Sequence, residues 1–329
     1  MPRHGILIGA GGVARLAHVP AYGLIDQLDL AAAVDPRIPL PDLGDLAAYP
    51  SLDAALAEVP AEFVDVCTPT ASHQAVVLDA LARGLHVFCE KPVAITAEGA
   101  RELAAAARAA GRVLFPCHQY RENPAWRALR RAVESGAIGR WHLAEFHVYR
   151  LEADRGATPD AVPWRGRRDS AMGGVLLDHG THLLYLMHDM AGLPVAVEAH
   201  LSRLGHPGYD VEDTAHVLLD YEDRLATLTL TWAGRERENR IRFIGSEGMA
   251  EWVGGQLRVV AANGRTEVSD FSAQLDKREY AGWMGRTLER FAEAIERGES
   301  EESLVEILDV ARLLEACYRA AAAGHRVTL

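Results

Sequence analysis

Residues 6–14 constrain the fold more than any other stretch of the chain. Ile6, Leu7 and Ile8 form an apolar run, and Gly9-Ala10-Gly11-Gly12-Val13-Ala14 follows at once. An apolar run without polar alternation suits a strand buried on both faces, as in a parallel sheet covered by helices on each side. Glycines at 9 and 11 permit a tight turn and close backbone approach, and Ala14 is small enough for a following helix to pack on the sheet. The first N–H groups of that helix, with the positive end of its dipole, then lie at the strand's carboxyl edge and suit a pyrophosphate. A glycine-rich structural turn is the competing reading.

The same grammar runs through residues 1–119. Strands are expected at 6–9, 30–35, 63–67, 87–89 and 113–117, with helices at 13–25, 52–59, 72–83 and 97–110. Thr96 sits at an N-cap position and Gly111 at a helix stop. Alternating strands and helices imply a doubly wound parallel sheet. From residue 120 the pattern changes. A helix at 124–135 is followed by strands at 141–149, 195–204, 214–221, 225–232, 239–244 and 257–262, punctuated by tight turns such as Asn263-Gly264. Helices at 284–297 and 304–323 close the chain. The expected fold class is therefore an α/β doubly wound domain at 1–119, followed at 120–329 by an α+β domain with a large, mainly antiparallel open sheet.

Within 225–232, Leu228, Leu230 and Trp232 share one face and Thr227, Thr229 and Thr231 the other. Neither face carries charge, so sheet-to-sheet association into a homodimer or homotetramer is expected.

Composition excludes some partners. A net charge of −12 with no basic block argues against nucleic acid. No apolar stretch approaches the roughly 18 residues that span a bilayer, so no membrane partner is expected. The N-terminal run resembles a short signal peptide, but Arg15 and four glycines interrupt it, and a glycine turn explains it better. Cys67, Cys89, Cys117 and Cys317 contain no Cys-x-x-Cys pair, and the first three close apolar runs. Buried thiols in a reducing compartment are expected, and hence a cytoplasmic protein.

The chemistry-bearing residues begin with Lys91. Of 34 cationic side chains only Lys91 and Lys277 are lysines. Arg cannot release its proton, whereas a desolvated Lys can serve as acid or base. Glu90-Lys91-Pro92 directly follows the strand at 87–89, at the same carboxyl edge as the glycine loop. Asp35, at the end of the second strand, can accept both hydroxyls of a ribose and repel a 2′-phosphate, which favours NAD. Arg37 keeps NADP open. Cys67-Thr68-Pro69-Thr70 and then His73 end another strand where open α/β sheets bind ligands, though helix capping by Thr70 or Ser72 also fits. In the second half, Asp178 and His182 stand four apart on a helix and share a face, which suits proton transfer with a substrate hydroxyl. A core-facing Asp–His pair is the alternative. A metal set from Asp178, His179, His182 and His188 is incomplete, because His179 is expected to point away, so no metal is expected.

Together these features resemble the glucose-fructose oxidoreductase / inositol dehydrogenase / rhizopine-catabolism (Gfo/Idh/MocA) family over nearly the whole chain. The resemblance rests on residues 82–92 ending in Glu90-Lys91-Pro92, on Asp178-x-Gly180-x-His182, on residues 243–248 and on the ending around 316–327. It implies a Rossmann domain and an NAD(P)-dependent dehydrogenase or reductase acting on a secondary alcohol or ketone of a sugar, cyclitol or related polyol. It implies that Lys91 and His182 line the substrate site beside the nicotinamide and that Asp178 binds substrate hydroxyls. Cofactor contacts are expected from Gly9, Gly11, Gly12, Val13, Ala14, Asp35, Thr68, Pro69, His73, Glu90 and Lys91, and from Trp164-Arg165, which looks like the family's Trp-Arg pair. Two positions depart from the family pattern: Tyr185 stands where an Asp is common three residues after the motif His, and Val175 replaces the third Gly of a Gly run. Arg165, Arg167 and Arg168 form a dense cationic cluster that suits an anionic substrate or a solvated loop. The rival readings are a non-catalytic NAD-binding regulator and a member that uses tightly bound NAD for net hydrolysis or isomerisation.

Overall fold

The computed structural model describes residues 1–37, 43, 44, 46–153 and 162–329. The chain runs β1 (Arg3–Ile8), a π-helical turn (Ala14–His18), α1 (Val19–Tyr22), β2 (Leu28–Val34), β3 (Ala47–Tyr49), α2 (Leu52–Glu58), β4 (Phe63–Val66), α3 (His73–Ala82), β5 (His86–Cys89), α4 (Ala97–Ala110) and β6 (Leu114–Pro116). It continues α5 (Pro124–Glu134), β7 (Trp141–Tyr149), α6 (Arg168–Ala171), a second π-helical turn (Leu176–Gly180), α7 (Thr181–Ala191), β8 (Ala196–Ser202), β9 (Thr214–Asp220) and β10 (Leu225–Thr231). Strands β11 (Glu238–Gly245), β12 (Met249–Val253), β13 (Gln256–Val260) and β14 (Thr266–Asp270) precede α8 (Tyr280–Arg297), α9 (Glu301–Ala323) and β15 (Val327–Thr328).

Two compact units result: Met1–Glu122 with Asp276–Ala311, and Asn123–Leu275 with Arg312–Leu329. The first crossing falls close to the boundary expected at 119/120. The expectation that 120–329 forms one domain differs from this division, because 276–311 packs with the first unit. The cause is the sheet itself. Its six parallel strands, in the order β3-β2-β1-β4-β5-β6, need cover on both faces. On one face α2, α3 and α4 supply Leu52, Ala55, Val77, Leu81 and Leu103, joined by Leu304 and Ile307 of α9. Among the described residues, the N-terminal sequence gives the other face Ala14 and Ala17 of the π turn, Ala21 and Tyr22 of α1, and Leu43. Met284, Leu288, Phe291 and Ile295 of α8 complete it, with the Phe291 ring 5.7 Å from Phe63 and 5.5 Å from Phe88.

Local chemistry sets the element ends as expected. Thr96 accepts the Gly99 N–H at the start of α4, and Gly111 closes that helix at φ +59°. The helix expected at 13–25 runs without a break over residues 12–22, with a π-helical turn at Ala14–His18 ahead of the final α turn. Pro20 has no N–H to bond the carbonyl four residues back, so the regular ladder misses one bond there.

In the second unit, nine strands run in the order β14-β13-β12-β11-β7-β10-β9-β8-β15. β7 and β10 are parallel and the other pairs antiparallel. β12, β14 and β15 add to the strands expected from sequence. Ala144, Phe146 and Val148 of β7, Leu228 and Leu230 of β10, and Phe243 of β11 are buried on one face. Trp126 of α5 packs on Phe146 at 6.3 Å, and Gly180 lies against Leu230. The chain's own helices therefore cover the Leu228–Leu230 face. The other face holds half-buried Thr227, Thr229, Thr231, Glu145, His147, Tyr149, Arg240 and Arg242. Its groups pair with one another, as in Arg242 with Glu251 (2.6 Å) and Thr214 with Thr231 (3.0 Å).

Candidate functional site

The strand order of the first sheet reverses direction between β1 and β4, and loops at the carboxyl ends of such strands form the ligand crevice of open α/β sheets. The glycine loop follows β1 there. Gly9 adopts φ +93°, and a Cβ on it would stand 2.9 Å from the Cys67 carbonyl and the Thr68 nitrogen, so only glycine fits. A Cβ on Gly11 or Gly12 would meet nothing within 4 Å, so those two line open space. Val13 is half-buried, and Ala14 is fully buried where the turn packs on the sheet.

Asp35 ends β2 with its carboxylate already engaged. It accepts the Ala10 N–H at 3.0 Å, the Arg37 N–H at 3.0 Å, and the Arg37 guanidinium at 2.9 and 2.7 Å. The Arg37 side-chain bonds, with the backbone N–H groups, outweigh burial and hold Asp35 well below the usual carboxylate range. The Arg37 side chain is 73% exposed, so it can swing away from this clamp.

Thr68 and Pro69 follow β4. Thr68 Oγ1 is buried, with no hydrogen-bond partner among the described residues. An orphaned hydroxyl beside an open glycine loop is a group waiting for a ligand. His73 differs from the expectation of a cofactor contact. It is buried, and its two ring nitrogens lie 2.9 Å from the Pro92 carbonyl and 2.8 Å from the Thr68 carbonyl. It braces the loop after β4 against the loop after β5, and burial pushes its imidazole below the ordinary value.

Glu90 also differs. Its side chain turns into the core, where Oε1 lies 3.0 Å from His18 Nε2 and Oε2 accepts the Lys91 N–H at 3.0 Å. His18 Nδ1 in turn lies 2.8 Å from Asp65 Oδ2, which also accepts the Tyr22 hydroxyl at 3.0 Å. One fully buried imidazole thus bridges two buried carboxylates. Burial alone would push His18 down, but the Asp65 carboxylate overrides it and holds the imidazolium well above the ordinary value. Burial would push Glu90 up, but the His18 hydrogen bond and charge, aided by Lys91, bring it to about 2. Lys91 therefore rides on a peptide that is fixed from below by Glu90 and from the side by His73, with a cis bond to Pro92. The sequence motifs did not single out His18 and Asp65. The available signal was an acidic residue inside an otherwise apolar strand, Phe63–Val66.

His18 also falls in two potential ligand trios, with Glu90 and Cys117 and with Asp65 and Cys67. Burial raises the Cys67 thiol and pushes Cys117 to about 12, and both His18 nitrogens face carboxylates. A separate cleft of about 590 Å³ in the first unit is lined by His118, Arg121, Arg290, Arg297, Glu302 and neighbours. It contains none of the residues singled out by sequence.

In the second unit, Gly174 allows the chain to press on Glu212, and Gly173 allows it to press on Tyr318. A Cβ on Gly174 would stand 1.8 Å from the Glu212 carbonyl oxygen, and Glu212 Oε1 accepts the Gly174 N–H at 2.9 Å and the Tyr318 hydroxyl at 2.8 Å. Val175, the residue that replaces a third glycine, is buried and donates its N–H to the Glu212 carbonyl at 3.0 Å. The π turn and α7 follow, carrying Asp178 and His182. Asp178 Oδ2 lies 3.3 Å from Arg165 Nε, and the Arg165 guanidinium stacks on Trp164 at 4.4 Å. The Trp-Arg pair is thus brought to Asp178.

His179 does not point away as expected, since its Nδ1 is 3.3 Å from Asp178 Oδ2 and 3.2 Å from the Trp232 indole Nε1. Indole only donates, so Nδ1 accepts from Trp232 and the Asp178 approach is not a hydrogen bond. His182 Nδ1 lies 2.8 Å from the Tyr185 hydroxyl. The arginine cluster is divided. Arg165 faces Asp178, Arg168 donates its backbone N–H to Asp210 at 2.6 Å, and Arg167 is exposed.

Family models match both halves of the chain. Residues 4–118 match "Oxidoreductase family, NAD-binding Rossmann fold", and residues 126–251 match "GFO/IDH/MocA C-terminal domain". A 1,5-anhydro-D-fructose reductase of Ensifer adhaerens is 38% identical over 168 residues, which is 50% of this chain and 48% of that protein. A D-glucoside 3-dehydrogenase of Escherichia coli K12 is 33% identical over 204 residues, 59% of this chain and 56% of that protein. The matched segments thus span about half the length of these relatives. A levoglucosan dehydrogenase solved with NADH and levoglucosan superposes with a TM-score of 0.85 at 22% identity, covering 100% of this chain and 99% of that one, which shows the shared fold. The chain belongs to the Gfo/Idh/MocA family.

Proposed function

We propose that this Gfo/Idh/MocA family member is an NAD-dependent oxidoreductase acting on a secondary alcohol or ketone of a sugar, cyclitol or related polyol. The observation that carries this reading is the shared carboxyl edge of one parallel sheet. An open glycine loop follows β1, and a braced Lys91 follows β5 on that edge. The residues present fit the dinucleotide: Gly11 and Gly12 border open space, Gly9 has no room for a side chain, and Thr68 holds an unpaired hydroxyl. When bound, the nicotinamide supplies the hydride acceptor or donor. Lys91 holds and polarises the substrate oxygen, Asp178 binds substrate hydroxyls, and His182 takes or returns the hydroxyl proton. The sugar-directed names of the two relatives support the substrate class.

Lys91→Met and His182→Ala should each keep NADH binding, followed by fluorescence titration, and lower turnover by about 10²–10⁴-fold. Turnover is read as absorbance at 340 nm across a panel of sugars, cyclitols and their keto forms. Near-normal kcat in a variant removes that residue from the mechanism. If NADH binds but no compound turns over, the non-catalytic regulator is favoured. NAD that stays bound through gel filtration while a sugar is hydrolysed or isomerised favours the net-neutral reading.

One observation favours NADP as a second reading. Arg37 neutralises Asp35, which reduces repulsion of a 2′-phosphate, and places an exposed guanidinium at the same point. All four cysteines are free and buried, and this supports a cytoplasmic location. No helix among the described residues is long and apolar enough to cross a membrane.

A further inference from the structure

We infer that Glu212 is the positioning residue of the Asp178–His182 segment: brought from just ahead of β9, it grips the backbone where that segment begins. The inference rests on the proposed roles of Asp178 and His182. The π turn that carries Asp178 starts without a side-chain cap from its own sequence, although the first N–H groups of a helical segment need partners from outside it. Glu212 supplies them. Its Oε1 accepts the Gly174 N–H at 2.9 Å, and its main-chain carbonyl accepts the Val175 N–H at 3.0 Å. The Gly174 carbonyl in turn accepts the Asp178 N–H at 2.9 Å. This chain of bonds runs from Glu212 to the backbone of Asp178, and His182 follows about one turn later on α7. A carboxylate at this end also answers the positive pole of the helix dipole.

The anchor is itself fixed. Asp213, the next residue, is wholly buried and accepts the N–H groups of Leu204, Gly205 and His206 at 2.9, 2.8 and 2.8 Å and the Thr214 hydroxyl at 2.9 Å. Its carbonyl accepts the Trp232 N–H at 2.7 Å, which ties it to the end of β10. The Tyr318 hydroxyl of α9 donates to Glu212 Oε1 at 2.8 Å and holds the carboxylate in place. Gly173 and Gly174 let the chain close on this pair, because a Cβ on them would stand 2.2 Å from the Tyr318 oxygen and 1.8 Å from the Glu212 carbonyl oxygen. Burial pushes the Glu212 carboxyl above its ordinary value, while the Tyr318 hydroxyl and the Gly174 and Leu176 N–H groups draw it back. A buried carboxyl is costly to keep. An apolar side chain of the same size would fill the space but leave the Gly174 N–H and the Tyr318 hydroxyl without this acceptor. Asp178 and His182 are therefore placed from the sheet, a rigid element, and not from the loop that precedes them.

The test pairs Glu212→Leu, which removes the acceptor and keeps the bulk, with Glu212→Gln, which keeps an acceptor oxygen for Gly174 and Tyr318. Turnover is taken per NADH-binding site, with a compound that reacts in the sugar and cyclitol panel, so that unfolded protein is not counted as lost chemistry. Glu212→Leu should lower kcat by up to about 10²-fold, the cost of a misplaced reacting group, with NADH affinity unchanged. Glu212→Gln should stay within about threefold of wild type. Amide hydrogen exchange followed by ¹⁵N NMR reads the turn without any substrate. The Gly174 and Asp178 amides should be protected in wild type, and the Asp178 amide should exchange about tenfold faster in Glu212→Leu, the worth of one charge-assisted hydrogen bond. Unprotected Gly174 and Asp178 amides in wild type overturn the inference even if the leucine variant does not fold. So does a folded Glu212→Leu with wild-type kcat, or a glutamine variant as slow as the leucine one. The two readings fail separately. Near-normal turnover in His182→Ala defeats the proton-transfer role whatever the state of the turn, whereas a silent Glu212→Leu beside an inactive His182→Ala defeats only the positioning role.

Discussion

His18→Gln tests the buried bridge beneath Lys91. In the wild type one imidazolium answers two carboxylates, Asp65 at 2.8 Å and Glu90 at 3.0 Å, with His18 wholly enclosed. Glutamine brings no charge, so at pH 7 the buried Asp65 and Glu90 carboxylates both lose the imidazolium between them, and only Glu90 keeps a neighbouring cation, Lys91. Removing one partner of a buried ion pair costs about 3–5 kcal/mol. For a unit of this size that is a fall in Tm of about 10 °C. The pH dependence has a definite sign. His18 has a raised folded pKa, so its stabilisation is complete below about pH 6.5 and is lost as pH rises through the folded value. Glu90 is depressed to about 2, so its contribution is present above about pH 4.3 and is lost as pH falls through about 2. Between pH 5 and 7 both contributions are in place in the wild type. In His18→Gln one carboxylate must rise in pKa and take up a proton on folding, so the variant gains stability as pH falls. The gap between the two proteins should therefore narrow from pH 7 to pH 5. Scanning calorimetry of both proteins in a matched buffer series measures it. A loss under about 1 kcal/mol at pH 7, or a gap that widens on acidification, would refute the charged bridge.

The cofactor and assembly readings each have a direct check. Arg37→Ala frees the Asp35 carboxylate for ribose hydroxyls and removes the guanidinium, so the NADH-to-NADPH affinity ratio should rise by about tenfold, the worth of one charge-assisted contact; an unchanged ratio by fluorescence titration removes Arg37 from cofactor choice. The half-buried, self-paired face of the second sheet is proposed to meet a second copy of the chain in a homodimer or homotetramer. A single species of 35.8 kDa by light scattering at micromolar concentration would overturn that.

Much of the fold was legible because the first sheet is buried on both faces. Strands such as Phe63–Val66 read as apolar runs, and their alternation with helices implies parallel pairing. The placement of α8 was not legible. Its periodicity shows an apolar face bearing Met284, Leu288, Phe291 and Ile295, but periodicity cannot name the sheet that face will cover. β14 was missed because all five of its residues are exposed, which leaves no alternation to read.

The site divides in the same way. Gly9, Lys91, Asp178 and His182 were visible because backbone geometry or chemistry restricts the residue type at each position. His18, Asp65 and Glu90 act as one group only because β1, β4 and β5 lie side by side, which brings together residues 47 and 72 positions apart. That adjacency is a property of the sheet, and no local spacing encodes it. Glu90 and His73 were read as ligand contacts because they flank Lys91 and Thr68 in sequence. The structure turns both side chains into the protein, where Glu90 accepts the Lys91 N–H and His73 meets the Thr68 and Pro92 carbonyls. A motif therefore marks a position on the chain without saying which of its side chains meets the ligand, and that depends on what each can pair with in the core.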